Sequence, residues 1–186
     1  MGKSIRRMGI ILTVVALGVF SSISMAGAAV EPTGAARGAT TVTLNQATIG
    51  AVVNLGLTPA AVSPGVLGMD GTALKAAFPI TGNVLKGGLI KHVGGLSLST
   101  PTTMLTLTNY TIDTNKGVLT AMAAVNGTTV GRIPLFNLGS ALPQTGCAAN
   151  ASLSLTSEAA TALNAIFGAP LTLAGANFGV ACVAPR

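Results

Sequence analysis

Acidic side chains are nearly missing from this sequence. Of 186 residues, only Glu31, Asp70, Asp113 and Glu158 carry a carboxylate, and His92 is the one histidine. A pair of carboxylates for acid–base work is hard to assemble from that set. Glu31 falls in a lead-in segment, Asp113 in a turn, Glu158 at a helix start and Asp70 in a Gly-Met-Asp-Gly loop. No Gly-x-Ser-x-Gly elbow, phosphate-cradling glycine loop or zinc-ligand spacing occurs. These absences argue against an enzyme, and no catalytic residue or metal ligand is assigned. Tryptophan is absent, with one Tyr and five Phe, so stacked nucleic-acid bases would find no aromatic platform. Charged residues make up 8%, against about 25% in ordinary soluble domains. Beyond the first seven positions the cations are Arg37, Lys75, Lys86, Lys91, Lys116, Arg132 and Arg186. They are scattered rather than striped, which speaks against a nucleic-acid partner.

What is present is apolar and small. Hydrophobic residues reach 49%, so the core is built from Val, Leu, Ile and Ala, with Gly, Ser and Thr over much of the rest. The N-terminus has its own pattern. Lys3, Arg6 and Arg7 precede an unbroken apolar run, Ile10 to Phe20, and the chain then turns small, with Ala26-Gly27-Ala28 as a small-x-small site. This is a secretory leader over 1–28, cut near Ala28 and Ala29. The run is well short of the roughly 20 residues that span a bilayer, and no transmembrane segment is expected in the mature chain. The expected location is secreted or cell-surface.

Residues 29–40 read as a flexible Gly- and Ala-rich lead-in, and 41–186 as a single β-rich domain. Thr41 to Leu44 alternates as a strand; Asn45 caps a short helix to Leu55, stopped by Gly56. Residues 57–74 read as a loop. Lys75 to Thr81, Val84 to His92, Leu96 to Ser99 and Met104 to Ile112 read as strands on their period of two. Val118 to Val125 and Thr128 to Leu138 flank Asn126-Gly127, a type I′ hairpin signal. Ser152 to Leu155 then leads to a helix over Glu158 to Phe167, capped by Thr156 or Ser157 and ended by Gly168. The expected fold is mainly β: an antiparallel β-sandwich-like domain with two short helices.

Cys147 and Cys182 are the two cysteines. An even count in an exported chain reads as a disulfide. His92, in Gly-Gly-Leu-Ile-Lys-His-Val-Gly-Gly, is the one candidate cofactor contact, as an axial haem ligand. Lys86 shares its face if the strand is unbroken, whereas Lys91 points the other way. Leu142-Pro-Gln-Thr-Gly146 matches the sorting motif of wall-attached proteins, although the segment C-terminal to it, with Asn164, Pro170, Gly175 and Asn177, is poor material for a membrane helix. Asn109, Asn126 and Asn150 head glycosylation sequons of the kind a Thr-rich chain supplies by chance.

Residues 79–125, with Ile90-Lys-His-Val-Gly-Gly-Leu96 followed by Leu-alternating strands, resemble a group of secreted actinobacterial proteins. Their endings are similar too, at LTSEAATALNAIFG (155–168) and AGANFGVACV (174–183). More remotely, the His92-x-Gly-Gly-Leu stretch is similar to the HtaA domain family, whose members bind haem at the cell surface. The resemblance implies that family's fold, with His92 matching its histidine-containing strand. The family's early Trp and its Ser-Phe-Arg-x-Tyr segment, source of a Tyr ligand, have no counterpart, and the sole tyrosine is Tyr110. The reading from sequence is therefore a non-enzymatic extracellular or cell-envelope protein of unknown ligand and without a cofactor. Two alternatives accompany it: a haem-binding surface module through His92, and a sortase-attached wall protein through Leu142 to Gly146. The exported protein is expected to begin between Gly27 and Val30, which intact-mass measurement on the secreted form checks; a form retaining Met1 would refute the leader.

Overall fold

The computed structural model describes residues 37–82, 86–168 and 173–186. The leader, its cleavage site and the start of the lead-in lie outside these residues. Among the described residues, eleven strands and two α-helices occur in the order β1 (Gly38–Leu44), α1 (Gln46–Asn54), β2 (Thr58–Val62), β3 (Val66–Asp70), β4 (Ala73–Thr81), β5 (Leu89–His92), β6 (Gly95–Ser99), β7 (Met104–Asp113), β8 (Val118–Val125), β9 (Thr128–Gly139), β10 (Ala149–Leu155), α2 (Ser157–Phe167) and β11 (Asn177–Pro185).

All pairings are antiparallel. Strands β7, β5, β4, β1, β11, β10, β9 and β8 neighbour one another in that order, and β8 pairs back onto β7. The sheet thus closes into an eight-stranded barrel. This corrects the sandwich expected from sequence: alternation fixes which side of each strand is buried and is the same in both architectures, while closure depends on pairings remote in sequence.

Local chemistry explains the elements that sequence placed well. The Asn45 side chain accepts from the Ala47 N–H at 2.9 Å, and that of Thr156 from the Ala159 N–H at 3.1 Å, each satisfying a free amide of its helix. Gly168 ends α2 in the left-handed region at φ 66°. Asn126 and Gly127 carry φ of 49° and 81°, as the β8–β9 turn requires. Strand β1 starts at Gly38, ahead of the expected Thr41. Two expectations fail. The supposed loop at 57–74 holds β2, β3 and the start of β4, because β6 and β4 supply ladders that Pro, Gly and Ala do not advertise. The supposed strand from Val84 shrinks to Leu89–His92, preceded by a 3₁₀ turn at Lys86–Gly88; 83–85 lie outside the described residues.

The wall between β4 and β7 is forked. Strand β5 bridges them by two residue pairs to β4 and three to β7. Beyond His92 the two diverge, β4 carrying β3 and β7 carrying β6 and then β2. At the fork the β2–β3 turn lies against the Gly94-Gly95 backbone. A β-carbon on Gly94 would meet Gly65 N at 2.3 Å, and one on Gly95 would meet Leu107 O at 2.0 Å. The paired glycines after His92 are thus a packing requirement.

The barrel interior is the core, with Ile80, Ile90, Leu105, Leu153 and Leu155 fully buried. A Cys147–Cys182 disulfide ties the approach to β10 onto β11, as the cysteine count predicts. No helix among the described residues is long and apolar enough to cross a membrane. Gly95→Ala should destabilise the fold by roughly 1–3 kcal/mol in urea denaturation, because backbone must move to admit the methyl group. Gly68→Ala, where nothing lies within 4 Å of the added carbon, should change stability by less than about 0.5 kcal/mol.

Candidate functional site

His92 is the last residue of β5, at the apex of the fork, and it points inward with 4% of its surface exposed. Its Nδ1 lies 3.2 Å from the Tyr110 carbonyl and its Nε2 2.7 Å from Thr40 Oγ1. A carbonyl only accepts, so Nδ1 carries the hydrogen; neutral Nε2 then accepts from the Thr40 hydroxyl. Thr40, 2% exposed, sits on β1. The contact reaches across β4, on which Phe78 pairs Thr40 and Ile80 pairs His92. Burial is the main cause that holds the imidazole pKa down to about 4, partly countered by the Tyr110 carbonyl. The ring is therefore neutral at physiological pH.

Tyr110 faces the interior because β7 changes phase. Leu105 and Leu107 are buried, then Tyr110 and Ile112. The step falls at Asn109, with φ 50°, where the pairing with β8 shifts register between Thr108 and Thr111. This bulge corrects the unbroken alternation read from sequence, under which Asn109 and Thr111 would have pointed in. The Tyr110 ring meets Phe78 edge-on at 4.8 Å. Its hydroxyl oxygen accepts from the Leu96 N–H at 3.1 Å. Burial raises its pKa far above the usual phenol value, opposed in part by that amide, so the phenol stays protonated.

These groups line a cavity of about 120 Å³ inside the barrel. Its polar side chains are Thr40, Thr48, His92 and Tyr110; the rest of the lining is Val, Leu, Ile, Ala, Pro and Phe. Ile49 and Val52 of α1 and Leu163 of α2 also face it. Thr48 donates to the Asn177 carbonyl at 2.7 Å.

The other residues singled out from sequence lie elsewhere. Lys91 is exposed on the outer face, and Lys86 belongs to the 3₁₀ turn rather than to the strand, so the even spacing that would align it with His92 does not apply. Asp70 pairs with Lys75 at 2.5 Å on the surface. The Asp113 side chain caps the amides of Asn115 and Lys116 at 3.1 and 3.0 Å. Among the described residues no cluster of His, Cys, Asp or Glu could hold a metal ion. Leu142 to Gly146 lies in the irregular stretch between β9 and β10, with Leu142 86% exposed. Thr40 escapes sequence reasoning, being 52 residues from its partner. Tyr110 has a signal in principle: apolar residues at 105 and 107, then 110 and 112, announce a phase change.

No family model and no curated protein matches the sequence. Two solved structures share the fold. The C-terminal domain of HtaA from Corynebacterium glutamicum matches with a TM-score of 0.50 and 16% identity, over 77% of this chain and 92% of that one. The haem binding protein HtaB from the same organism matches with a TM-score of 0.54 and 10% identity, over 77% and 89%. The fold is that of HtaA and HtaB. These likenesses bear out the remote HtaA resemblance read from His92 and its glycines; they do not bear on the group of secreted actinobacterial proteins.

Haem is the group this fold raises, and the interior does not fit it. His92 Nε2, the nitrogen free of a hydrogen, is taken by Thr40. The only phenol is neutral and buried. Among the described residues, no lysine or arginine lines the cavity to meet propionates. A space of about 120 Å³ is comparable to the roughly 150 Å³ that takes a benzene and well below the roughly 300–1,000 Å³ of pockets for larger ligands.

The imidazole gives a pH test. Unfolded, its pKa is 6.5 and folded about 4, so between these values the unfolded chain holds a proton the folded one lacks. Stability is full above pH 6.5 and falls as pH drops toward 4. Urea denaturation should show a loss of about 2.5 kcal/mol between pH 7.5 and 4.5, and this dependence should flatten in His92→Gln.

Proposed function

We propose that this chain is a non-enzymatic, extracellular or cell-surface binding module that takes a small apolar molecule into its barrel, beside His92. The observation that carries the reading is the cavity inside the barrel, lined by Val, Leu, Ile, Ala, Pro and Phe together with Thr40, Thr48, His92 and Tyr110, the usual composition of a small-molecule site. The leader pattern and the cysteine pair support export. The separation of the surface pair Asp70–Lys75 from the turn-capping Asp113 supports a role without acid–base chemistry. The binding reading replaces the more general one of an envelope protein with no assigned site.

A second reading, haem, is favoured by the fold shared with HtaB and by the His92 tautomer. A ligating histidine commonly donates its other N–H to a carbonyl, as His92 does to Tyr110. It would require Thr40 to release Nε2. Wall attachment at Leu142 to Gly146 draws no support: cleavage after Thr145 would remove β10, α2 and β11, three parts of the barrel.

Benzene, followed by methyl NMR on the disulfide-intact protein, should shift Leu107, Leu119 and Leu135 saturably at one equivalent, while haemin at micromolar protein should give no Soret shift. A Soret shift at one equivalent that vanishes in His92→Ala would instead establish haem as the ligand.

A further inference from the structure

Strand β7 changes partners at one point. From Met104 to Thr108 it pairs with β6, and from Thr111 to Asp113 with β5. On its other side, β8 pairs Met122 with Thr108 and Thr120 with Thr111, so Asn109 and Tyr110 together face Ala121. Such a bulge takes backbone groups out of the ladder, and they still need partners. The Asn109 N–H donates to the Gly94 carbonyl at 3.1 Å. The Asn109 carbonyl accepts from Arg132 Nη1, also at 3.1 Å. That nitrogen lies 3.1 Å from Thr120 Oγ1 and 3.4 Å from Thr111 Oγ1 as well. Arg132 stands on β9, beyond β8, and is exposed on the outer wall. Its guanidinium forms no ion pair among the described residues. It spends its charge on neutral oxygens of β8 and β7, where charge-assisted bonds are the stronger kind.

On the inner side of the same bulge, the Tyr110 carbonyl accepts from His92 Nδ1–H at 3.2 Å. The partner of Nε2, the Thr40 hydroxyl, can donate or accept. Thr40 therefore does not decide which nitrogen carries the hydrogen; the Tyr110 carbonyl does. An unbroken β7 would turn Tyr110 outward and take this acceptor away. The bulge is held against a cost, since Asn109 sits at φ 50°, a region non-glycine residues enter rarely.

We propose that Arg132 is a positioning residue for the interior site: by holding the Asn109 carbonyl on the outer wall it fixes the bulge, and the bulge sets the Tyr110 carbonyl that keeps the hydrogen of His92 on Nδ1 and a lone pair on Nε2. The inference goes beyond the reading of the barrel as a binding module and holds for any molecule the barrel takes. It makes the chemical state of a buried imidazole depend on a side chain at the solvent face. The planar, multiply donating guanidinium suits three oxygens at once.

His92 is the one histidine, so nitrogen-15 NMR reads its tautomer directly. At pH 7.5, where the ring is neutral, the wild type should show the Nδ1–H form. Arg132→Ala should move it toward the Nε2–H form that histidine prefers in water. The Leu96 amide, which donates to the Tyr110 hydroxyl, should then exchange with solvent at least about tenfold faster. Arg132→Gln keeps much of the stem but falls short of the carbonyl; it should behave alike and serves if the alanine variant does not fold. Arg132→Lys, whose ammonium still reaches toward that carbonyl, should recover most of the Nδ1–H form. Asn126→Ala controls for plain loss of stability. It removes the acceptor of the Met104 amide at 2.8 Å in the β8–β9 turn and should leave the tautomer as it was. The inference is overturned if Arg132→Ala and Arg132→Gln keep the Nδ1–H form and the Leu96 protection, or if Asn126→Ala shifts both as far.

Discussion

Ring closure in this barrel passes through four residues, Leu89–His92. Strand β5 holds β4 by two residue pairs and β7 by three, whereas β8 and β9 share eight. Much is stacked on that short bridge. It brings Thr40 of β1, His92 of β5 and Tyr110 of β7 to one point, and beyond it the wall opens into a fork that β3, β6 and β2 must cover. The glycines after His92 belong to the same constraint, since the covering turn at Gly65 can approach only where side chains are absent. A polar cluster at the fork contributes direction as well as energy. His92 Nδ1 reads the backbone of β7, beside its own strand, and Nε2 reads β1, on the far side of β4.

That cluster is polar without being charged. Burial disfavours the imidazolium and the phenolate alike, so these groups act through hydrogen bonds alone. The chain's shortage of ionised groups extends inward: the described cations and carboxylates sit on surface, turns and rims, and the interior is left to Leu, Val, Ile and Phe. The fold positions a cavity, and the side chains decide what enters it.

Sequence made the local features legible. Asn45 with Gly56 and Thr156 with Gly168 bracket helices whose caps are short-range chemistry, and Asn126-Gly127 states a hairpin outright. Strands β2 and β3, TPAAV and VLGMD, carry neither alternation nor β-branched enrichment, and only their partners make them strands. The barrel was out of reach for the same reason, since closing it depends on which strands meet rather than on what each one is. At the site, rarity singled out His92, and the doublets Gly87-Gly88 and Gly94-Gly95 marked its neighbourhood. The bulge at Asn109 left only the phase step from Leu105 and Leu107 to Tyr110 and Ile112, and the Thr40 contact left no sign because it joins residues 52 apart.

Strand β1 pairs with β11 along its whole length, from Gly38 beside Pro185 to Leu44 beside Gly179, and the Arg186 amide donates to the Arg37 carbonyl at 2.9 Å. The first and last described residues of the barrel are therefore neighbours, and the fold is nearly a closed loop of chain. A linker of a few residues could join them and new ends be opened in the exposed stretch between β9 and β10, a circular permutation that keeps every strand pairing. The same adjacency means that a tether fused at residue 37 or at residue 186 would hold the barrel by one and the same corner.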